Sequence, residues 1–313
     1  MTAADLSRKA TLETMVRLGD RALGTLEAPG EEPTTAADAF AGRKGYDRTF
    51  LDGWEIPLPL AIGPAAGDMR ALRRGGRGVE LKYQHFSVVM SASRRLPMIT
   101  AANIDASESR CLARDDRWGF DGRLDKSDQF GEELYFQNPL DRGHMVRRLD
   151  PVWGSLQVAK RANEDTFHYT NACPQKDEIN QGIWNELEDY ILYHAQADRM
   201  RVNVYTGPFF GDHDLPHASG ALIPLAFWKV VTIVTDDGRP SATAYKVSQE
   251  VALKELEFVF AGFQTFQISI QQVIDQAHVD FAPLVDFDGF SHFEQTTGQP
   301  MVEALQSLEQ VRV

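Results

Sequence analysis

Short apolar segments joined by tight turns constrain the fold of this chain more than any other feature of its sequence. These segments predict β-strands over 85–92, 97–105, 201–207, 229–235, 242–247 and 266–270. The turn at Arg94–Arg95 and the Asp-Asp-Gly turn at 236–238 are both short enough for hairpins, so adjacent strands are expected to pair. Helical patterns are interspersed with the strands without regular alternation. The sequence therefore predicts an α+β fold with a mixed or antiparallel central sheet and flanking helices.

Within 46–313, three segments are predicted to be helices. The clearest is 180–196, whose apolar residues form one stripe: Ile183, Trp184, Leu187, Ile191 and Leu192. Shorter helices are predicted over 271–278 and 301–311. The polar segment 115–137 is predicted to be a long loop, and 167–171 to be extended.

The first 45 residues differ from the rest of the chain. Residues 4–27 have an apolar stripe at helical spacing, and 28–48 are rich in Pro, Gly, Thr and Ala. We therefore expect an N-terminal helix and linker arm over 1–45, followed by a compact domain over 46–313. Residues 1–10 lack the apolar core of a secretory signal, and no stretch of 18 uncharged apolar residues occurs. These features predict a cytoplasmic protein without a membrane partner, with export by a leaderless route as the alternative.

The charge of the chain is distributed unevenly. The formal net charge of −13 argues at first against a nucleic-acid partner, because phosphate backbones attract basic surfaces. Residues 177–313 contain 20 acidic and 7 basic residues, so this part alone accounts for the whole excess. Residues 82–176 contain 14 basic and 13 acidic residues and are close to neutral. The average therefore hides an arginine-rich central region.

One string in this central region combines groups that can carry out acid–base chemistry. Asp141, Arg142, Gly143 and His144 are consecutive and supply an acid, a phosphate-binding cation and a base. A neutral imidazole can accept a proton from water near pH 7, and Gly lets the backbone approach a ligand closely. The string alone is short enough to occur by chance, so its interpretation depends on the residues downstream of it.

Two further strings lie downstream at fixed spacing, 171–175 (NACPQ) and 180–188, in which Asn180-Gln181 is followed by Trp184 and Leu187-Glu188. The three strings together resemble the DNA/RNA non-specific endonucleases, the ββα-metal or His-Me finger group that includes sugar-non-specific bacterial nucleases and mitochondrial endonuclease G. The resemblance covers roughly 46–285. It implies a ββα-metal finger as the active site and Mg²⁺ as the cofactor, for which Mn²⁺ can substitute.

The resemblance also implies roles for individual residues. His144 is the implied general base that activates the attacking water. Asn180 is the implied sole direct protein ligand of Mg²⁺, and Glu188 is the implied carboxylate that acts on the metal through water. Mg²⁺ takes few protein ligands, all of them oxygens. On a helix, Asn180 and Glu188 would lie about 12 Å apart and roughly 80° around the axis, which suits one direct and one water-mediated contact.

The remaining motif residues are expected to support the site. Asp141 and Arg142 belong to the same string as the base, and Arg142 braces the site or a phosphate. Asn171 is the implied partner that orients the site. A phosphate-stabilising arginine is also expected N-terminal to the motif, and both Arg114 and Arg117 fit, with Arg114 slightly preferred.

Two positions depart from the pattern of some members of the family. Phe167 stands where some members have Asn, and Leu192 where some have Arg. Both departures bear on secondary phosphate contacts, whereas the residues implied to carry out the reaction are all present.

The sequence thus predicts a Mg²⁺-dependent endonuclease that hydrolyses DNA and also RNA with little sequence preference and leaves 5′-phosphate ends. The alternative is a catalytically silent module on the same fold that binds nucleic acid or a protein partner. A homodimer and an inhibitor or regulatory partner are compatible with either interpretation, and 1–45 could be the controlling segment.

Overall fold

The computed structural model describes residues 32–114, 116–176, 188, 195, 200–235, 237–250 and 264–305. Contacts between Cα atoms divide the chain into Met1–Glu31 and Glu32–Val313, and every described residue belongs to the second unit. The predicted helix over 4–27 lies outside the described residues. So does most of the predicted helix over 180–196, of which Glu188 and Ala195 are described and have helical backbone.

A large antiparallel sheet forms the centre of the second unit. In chain order its eight strands are β3 (Glu80–Lys82), β4 (Phe86–Met90), β5 (Pro97–Asp105), β9 (Arg201–Phe209), β12 (Ala226–Val234), β13 (Pro240–Ser248), β14 (Gln264–Ile268) and β16 (Val302–Leu305). They lie in the spatial order β16-β14-β13-β12-β9-β5-β4-β3, and every neighbouring pair is antiparallel. The predicted α+β fold, the six predicted strands and both hairpins are confirmed.

Smaller elements surround this sheet. Two-stranded sheets pair β1 (Thr34–Thr35) with β6 (Phe120–Asp121), β2 (Leu60–Ala61) with β15 (Val279–Asp280), β7 (Leu140–His144) with β8 (Ala172–Lys176), and β10 (Leu215–Pro216) with β11 (Leu222–Ile223). The described α-helices are α1 (Leu156–Asp165), α2 (Ile270–Ala277) and α3 (Gly289–Thr297). Helix α2 confirms the prediction over 271–278. Among the described residues, no helix is both long enough and apolar enough to cross a membrane.

The central sheet is covered on both faces because its side chains alternate in direction along each strand. On β12, Phe227 and Val231 pack into the apolar cluster that also contains Trp118, Phe167 and Cys173. Trp228 and Val230 point the other way, into the cluster that contains residues of α2. The first face is therefore the one that meets the β7–β8 hairpin, and Lys229 shares it with Phe227 and Val231.

Three sequence predictions need correction. The helix predicted over 301–311 is wrong for Val302–Leu305, which form strand β16 and pair with β14, while 306–311 lie outside the described residues. Edge pairing with the sheet overrides the local helical pattern there. Residues Tyr169–Asn171, predicted to be extended, form a 3-10 turn before β8. The segment predicted as a long loop is largely irregular, but it contains β6 and short 3-10 turns.

Residues from Glu32 onward, which the sequence assigned to the N-terminal arm, pack closely within the second unit. Strand β1 pairs in parallel with β6, and the Phe40 side chain is buried. The Arg43 Nε atom donates a hydrogen bond to Asp165 Oδ2 at 2.7 Å. This segment therefore contributes contacts to the region that carries the site.

Candidate active site

The β7–β8 hairpin brings the first two sequence motifs together. In its antiparallel register, Asp141 faces Gln175, Arg142 faces Pro174, Gly143 faces Cys173 and His144 faces Ala172. The motif containing His144 and the motif beginning at Asn171 are thus two strands of one small sheet. Cys173 and Ala172 are fully buried and fix this hairpin against the central sheet.

Close packing explains why glycine occupies position 143. A Cβ atom added there would lie 2.6 Å from Gln175 Cγ and closer still to Cδ and Oε1 of the same side chain. Real Cβ atoms essentially never come within 3.0 Å of a heavy atom outside their own and the adjoining residues. The buried Gln175 side chain therefore occupies the space that any larger residue at position 143 would need.

His144 stands at the end of β7 in an aromatic setting. The ring centroids of Trp118 and Phe167 lie 4.7 and 5.2 Å from that of the imidazole. Phe167 is the residue at which the sequence departs from some family members. The Nε2 atom of His144 is buried and has no hydrogen-bond partner among the described residues. It is therefore a polar atom left available for a ligand.

The surroundings of His144 keep its imidazole neutral. Burial, followed by the positive charges of Arg114 and Arg148, lowers the pKa of His144 from 6.5 to about 3. Burial disfavours the charged form, and nearby cations disfavour it further. At pH 7 this imidazole is therefore in the unprotonated form that a general base must have, but a pKa this far below 7 makes it a weak proton acceptor in the absence of substrate.

Asn171 fixes the backbone that follows His144. Its Oδ1 accepts from Val146 N at 2.8 Å, and its Nδ2 donates to the carbonyl oxygens of Val146 and Thr166 at 3.0 and 3.1 Å. Its own carbonyl accepts from Met145 N. Because this amide is fully buried, it acts as a rigid clamp on the strand end that carries the imidazole.

Glu188 is held between two cations. Its Oε1 lies 3.1 Å from Lys229 Nζ, and its Oε2 lies 3.8 Å from Arg147 Nε. Arg147 lies three residues after His144, so this contact joins the helical carboxylate to the segment that follows the strand carrying the base.

The other predicted residues lie around this centre. Arg142 forms an ion pair with Glu132 and lies over the ring of Tyr135, so it braces the hairpin. Arg114 is about half exposed, pairs with Asp116, and is close enough to His144 to affect its pKa. Arg117 is exposed. Asn180, the predicted metal ligand, lies outside the described residues.

Sequence reasoning missed three cations at this site: Arg147, Arg148 and Lys229. Arg148 Nη1 donates to Leu112 O at 3.0 Å and to Asn163 Oδ1 at 3.1 Å, which anchors it near His144. A signal for these residues was present in the sequence. Two adjacent arginines come shortly after the motif, and a single lysine interrupts the apolar strand 226–234.

Glu188 supplies carboxylate oxygens at this site, and Lys229 and Arg147 lie beside them. Carboxylate oxygens are ligands for hard divalent cations, directly or through water. Within the described residues, no group of three or more His, Cys, Asp or Glu side chains is placed to hold an ion.

An antiparallel hairpin that ends in a neutral imidazole, followed by a helical carboxylate, defines this part of the chain as a ββα-metal nuclease fold. The chain belongs to the DNA/RNA non-specific endonuclease family, whose model matches residues 70–288.

The chain is similar to one uncharacterized protein and to two mitochondrial nucleases. The chain is 38% identical over 279 residues to the uncharacterized protein y4fB of Sinorhizobium fredii, a match that covers 82% of this chain and 42% of the relative. It is 36% identical over 78 residues to human mitochondrial endonuclease G, 24% of each chain. The zebrafish mitochondrial nuclease EXOG is 26% identical over 57% of this chain and 58% of its own. The chain thus spans about two fifths of the bacterial relative and a quarter of the human one.

One solved structure supports the fold. The crystal structure of the EndoG/EndoGI complex, which concerns the mechanism of EndoG inhibition, superposes on this chain with a TM-score of 0.53. The match covers 67% of this chain and 87% of that chain at 19% identity, so it establishes the shared fold alone.

Proposed function

We propose that this protein is a divalent-metal-dependent endonuclease that hydrolyses phosphodiester bonds of DNA and RNA with little sequence preference. The observation that carries this proposal is the neutral His144, whose buried Nε2 atom has no partner among the described residues and whose neighbours include Arg114 and Arg148. Membership of the family supports the same activity.

His144 is the general base in this proposal. It accepts a proton from the attacking water while that oxygen forms a bond to phosphorus. The bond between phosphorus and the 3′ oxygen breaks, and the leaving oxygen takes up a proton from solvent. The products are a 5′-phosphate and a 3′-hydroxyl. Asn171 contributes by holding the backbone next to the base.

Arginines supply positive charge for the phosphate. Of the two candidates from the sequence, Arg114 is favoured over Arg117 because its charge acts on His144. Arg148 is a second candidate that the structure adds, since it also acts on His144 and is anchored by Asn163. Arg142 and Asp141 keep the hairpin in shape.

Asn180 and Glu188 are the proposed metal-site residues, Asn180 as the direct ligand and Glu188 through water. Held by these residues, a Mg²⁺ or Mn²⁺ ion would supply positive charge to neutralise the phosphate and to stabilise the leaving oxygen. The fit rests on Glu188, an oxygen donor whose carboxylate lies near Arg147, three residues after His144.

Plasmid nicking tests the proposal. Wild-type protein is expected to nick with Mg²⁺ and not with EDTA, and His144→Ala is expected to lose activity by about 10²- to 10⁴-fold. His292→Ala, which removes an exposed histidine on α3, is the matched control and is expected to cut normally. Cleaved ends that can be religated without kinase treatment would identify 5′-phosphates. If His144→Ala nicks as fast as the wild-type protein, His144 is not the general base.

A silent binding module is the second candidate. It is favoured by Phe167, whose apolar ring packs edge-to-face against His144 at a position where some family members have Asn. Retained binding of DNA or RNA without cleavage across several metals would select it over the endonuclease. Both candidate functions are compatible with four further proposals: an inhibitor or regulatory protein, a homodimer, control by 1–45, and a cytoplasmic location.

A further inference from the structure

Lys229 occupies a position where a charged residue is unexpected. It lies in the middle of β12, on the face shared by Phe227 and Val231, and its side chain is 1% exposed. Burial of an ammonium group is costly unless the group is paired and hydrogen-bonded. An apolar residue would pack at this site without that cost. The lysine therefore calls for an explanation other than packing.

Its contacts supply that explanation. The Nζ atom donates to Thr206 Oγ1 at 2.9 Å and lies 3.1 Å from Glu188 Oε1. Thr206 faces Lys229 directly in the register between β9 and β12, so the acceptor that fixes the ammonium is part of the rigid sheet. Arg147 lies farther from the carboxylate, at 3.8 Å, which exceeds hydrogen-bonding distance. Of these two ion pairs, the one with Lys229 is the closer.

We propose that Lys229 is a positioning residue that holds the Glu188 carboxylate in place from the centre of the sheet. The inference rests on the proposed function, in which Glu188 belongs to the metal site. With one oxygen fixed by Lys229, the side chain loses its rotational freedom before the metal arrives. The other oxygen, Oε2, then keeps a fixed position near Arg147, three residues after His144.

Partners that orient metal-site residues have a recognisable energetic effect. Their removal lowers metal affinity or activity by about 10- to 100-fold while leaving the direct ligands intact. A buried ion pair contributes little to stability compared with apolar residues of similar volume. Removal of Lys229 alone is therefore expected to weaken metal binding and also to lower stability, because Glu188 is left without this partner, whereas the change of both residues is expected to cost little stability.

The test compares Lys229→Met, Glu188→Gln and the double variant with wild type. Direct Mn²⁺ binding is measured by electron paramagnetic resonance without nucleic acid, and the Mg²⁺ concentration for half-maximal nicking is measured separately. Lys229→Met is expected to weaken Mn²⁺ binding by about 10- to 100-fold. The double variant is expected to bind Mn²⁺ no more weakly than Glu188→Gln, because the lysine acts through the carboxylate. Lys246→Met is the matched control on β13, since Lys246 contacts Gln276 instead, and its Mn²⁺ affinity is expected to equal wild type.

Two results would overturn the inference: wild-type Mn²⁺ affinity in Lys229→Met, or losses that multiply in the double variant. If Lys229→Met fails to fold, Lys229→Arg replaces it. That variant keeps the charge but displaces the donor atom, and it is expected to lose at least about threefold in Mn²⁺ affinity. Unchanged affinity there would also overturn the inference. Failure of the proposed function looks different, because wild-type protein would then neither bind Mn²⁺ nor cut.

Discussion

Gly143→Ala tests whether the two motif strands pack as closely as the structure indicates. The new methyl group would have to move from 2.6 Å to at least 3.4 Å from Gln175 Cγ to reach ordinary van der Waals contact. Gln175 is 1% exposed and has little room to retreat. Overpacking of this kind destabilises by about 1–3 kcal/mol. Because Gly143 does not have a positive φ, backbone strain adds nothing to this cost.

Urea denaturation of Gly143→Ala and Gly289→Ala measures the effect. Gly289 is exposed at the start of α3 and has no atom within 4 Å of an added Cβ. Its replacement is expected to stabilise by about 0.4–1 kcal/mol through the unfolded chain alone. The same gain applies at position 143, so the difference between the two variants isolates the clash.

Truncation of the Gln175 side chain should restore part of the stability that Gly143→Ala loses. Adding Gln175→Ala to Gly143→Ala is expected to give a protein at least about 0.5 kcal/mol more stable than the sum of the two single changes predicts. Nicking by Gly143→Ala is expected to fall by more than about tenfold, because Arg142 and His144 flank the displaced residue. If Gly143→Ala is as stable as Gly289→Ala, the close packing of the two motifs is incorrect.

Three further predictions concern residues around His144. Asn171→Ala removes three buried side-chain hydrogen bonds and is expected to destabilise by about 2–4 kcal/mol in urea denaturation; a loss below about 1 kcal/mol would contradict its role as a clamp. In the unfolded chain His144 becomes protonated below pH 6.5, whereas in the folded chain it becomes protonated only near pH 3. The free energy of unfolding therefore falls as the pH decreases from 6.5 to 3. Relative to His144→Gln, wild type is expected to lose about 1.4 kcal/mol per pH unit there, and parallel stability curves would refute the buried neutral imidazole. Arg114→Ala is expected to lower kcat/KM for plasmid nicking by at least about tenfold and Arg117→Ala by less; the reverse order would exchange their roles.

The sheet could be predicted because its determinants are local. Each hairpin carries its own turn, and the alternation of apolar and polar residues over 201–207 can be recognised without knowledge of its partners. The strand at Val302–Leu305 could not be predicted, since a short segment becomes a strand only by pairing with a distant edge. Helix α1 was also overlooked, although Ser155, whose hydroxyl accepts from Val158 N, marks its start.

The candidate site divides in the same way. His144 could be predicted because it lies in one continuous motif, 141–144. Glu188 could be predicted because the resemblance to the family implied its role. The surroundings that tune these groups come from distant strands and loops. The proximity of Phe167 to His144 and of Lys229 to Glu188 depends on how the hairpin and the sheet pack, and no spacing in the sequence encodes it.

The net charge of −13 shows why local geometry must be considered before partners are excluded. Arg114, Arg147 and Arg148 gather near His144 and Glu188, and Lys229 adds a fourth cation beside the carboxylate. At physiological ionic strength the Debye length is about 8 Å, so carboxylates elsewhere on the chain are largely screened from a phosphate at this site. With only a few cations to contact phosphates, binding should be weak and sensitive to salt. We therefore expect metal-free affinity for a short duplex to be micromolar or weaker at physiological salt, and to weaken further as salt increases. A nanomolar Kd measured by fluorescence anisotropy in EDTA would contradict a binding mode that depends on these few cations and on the metal.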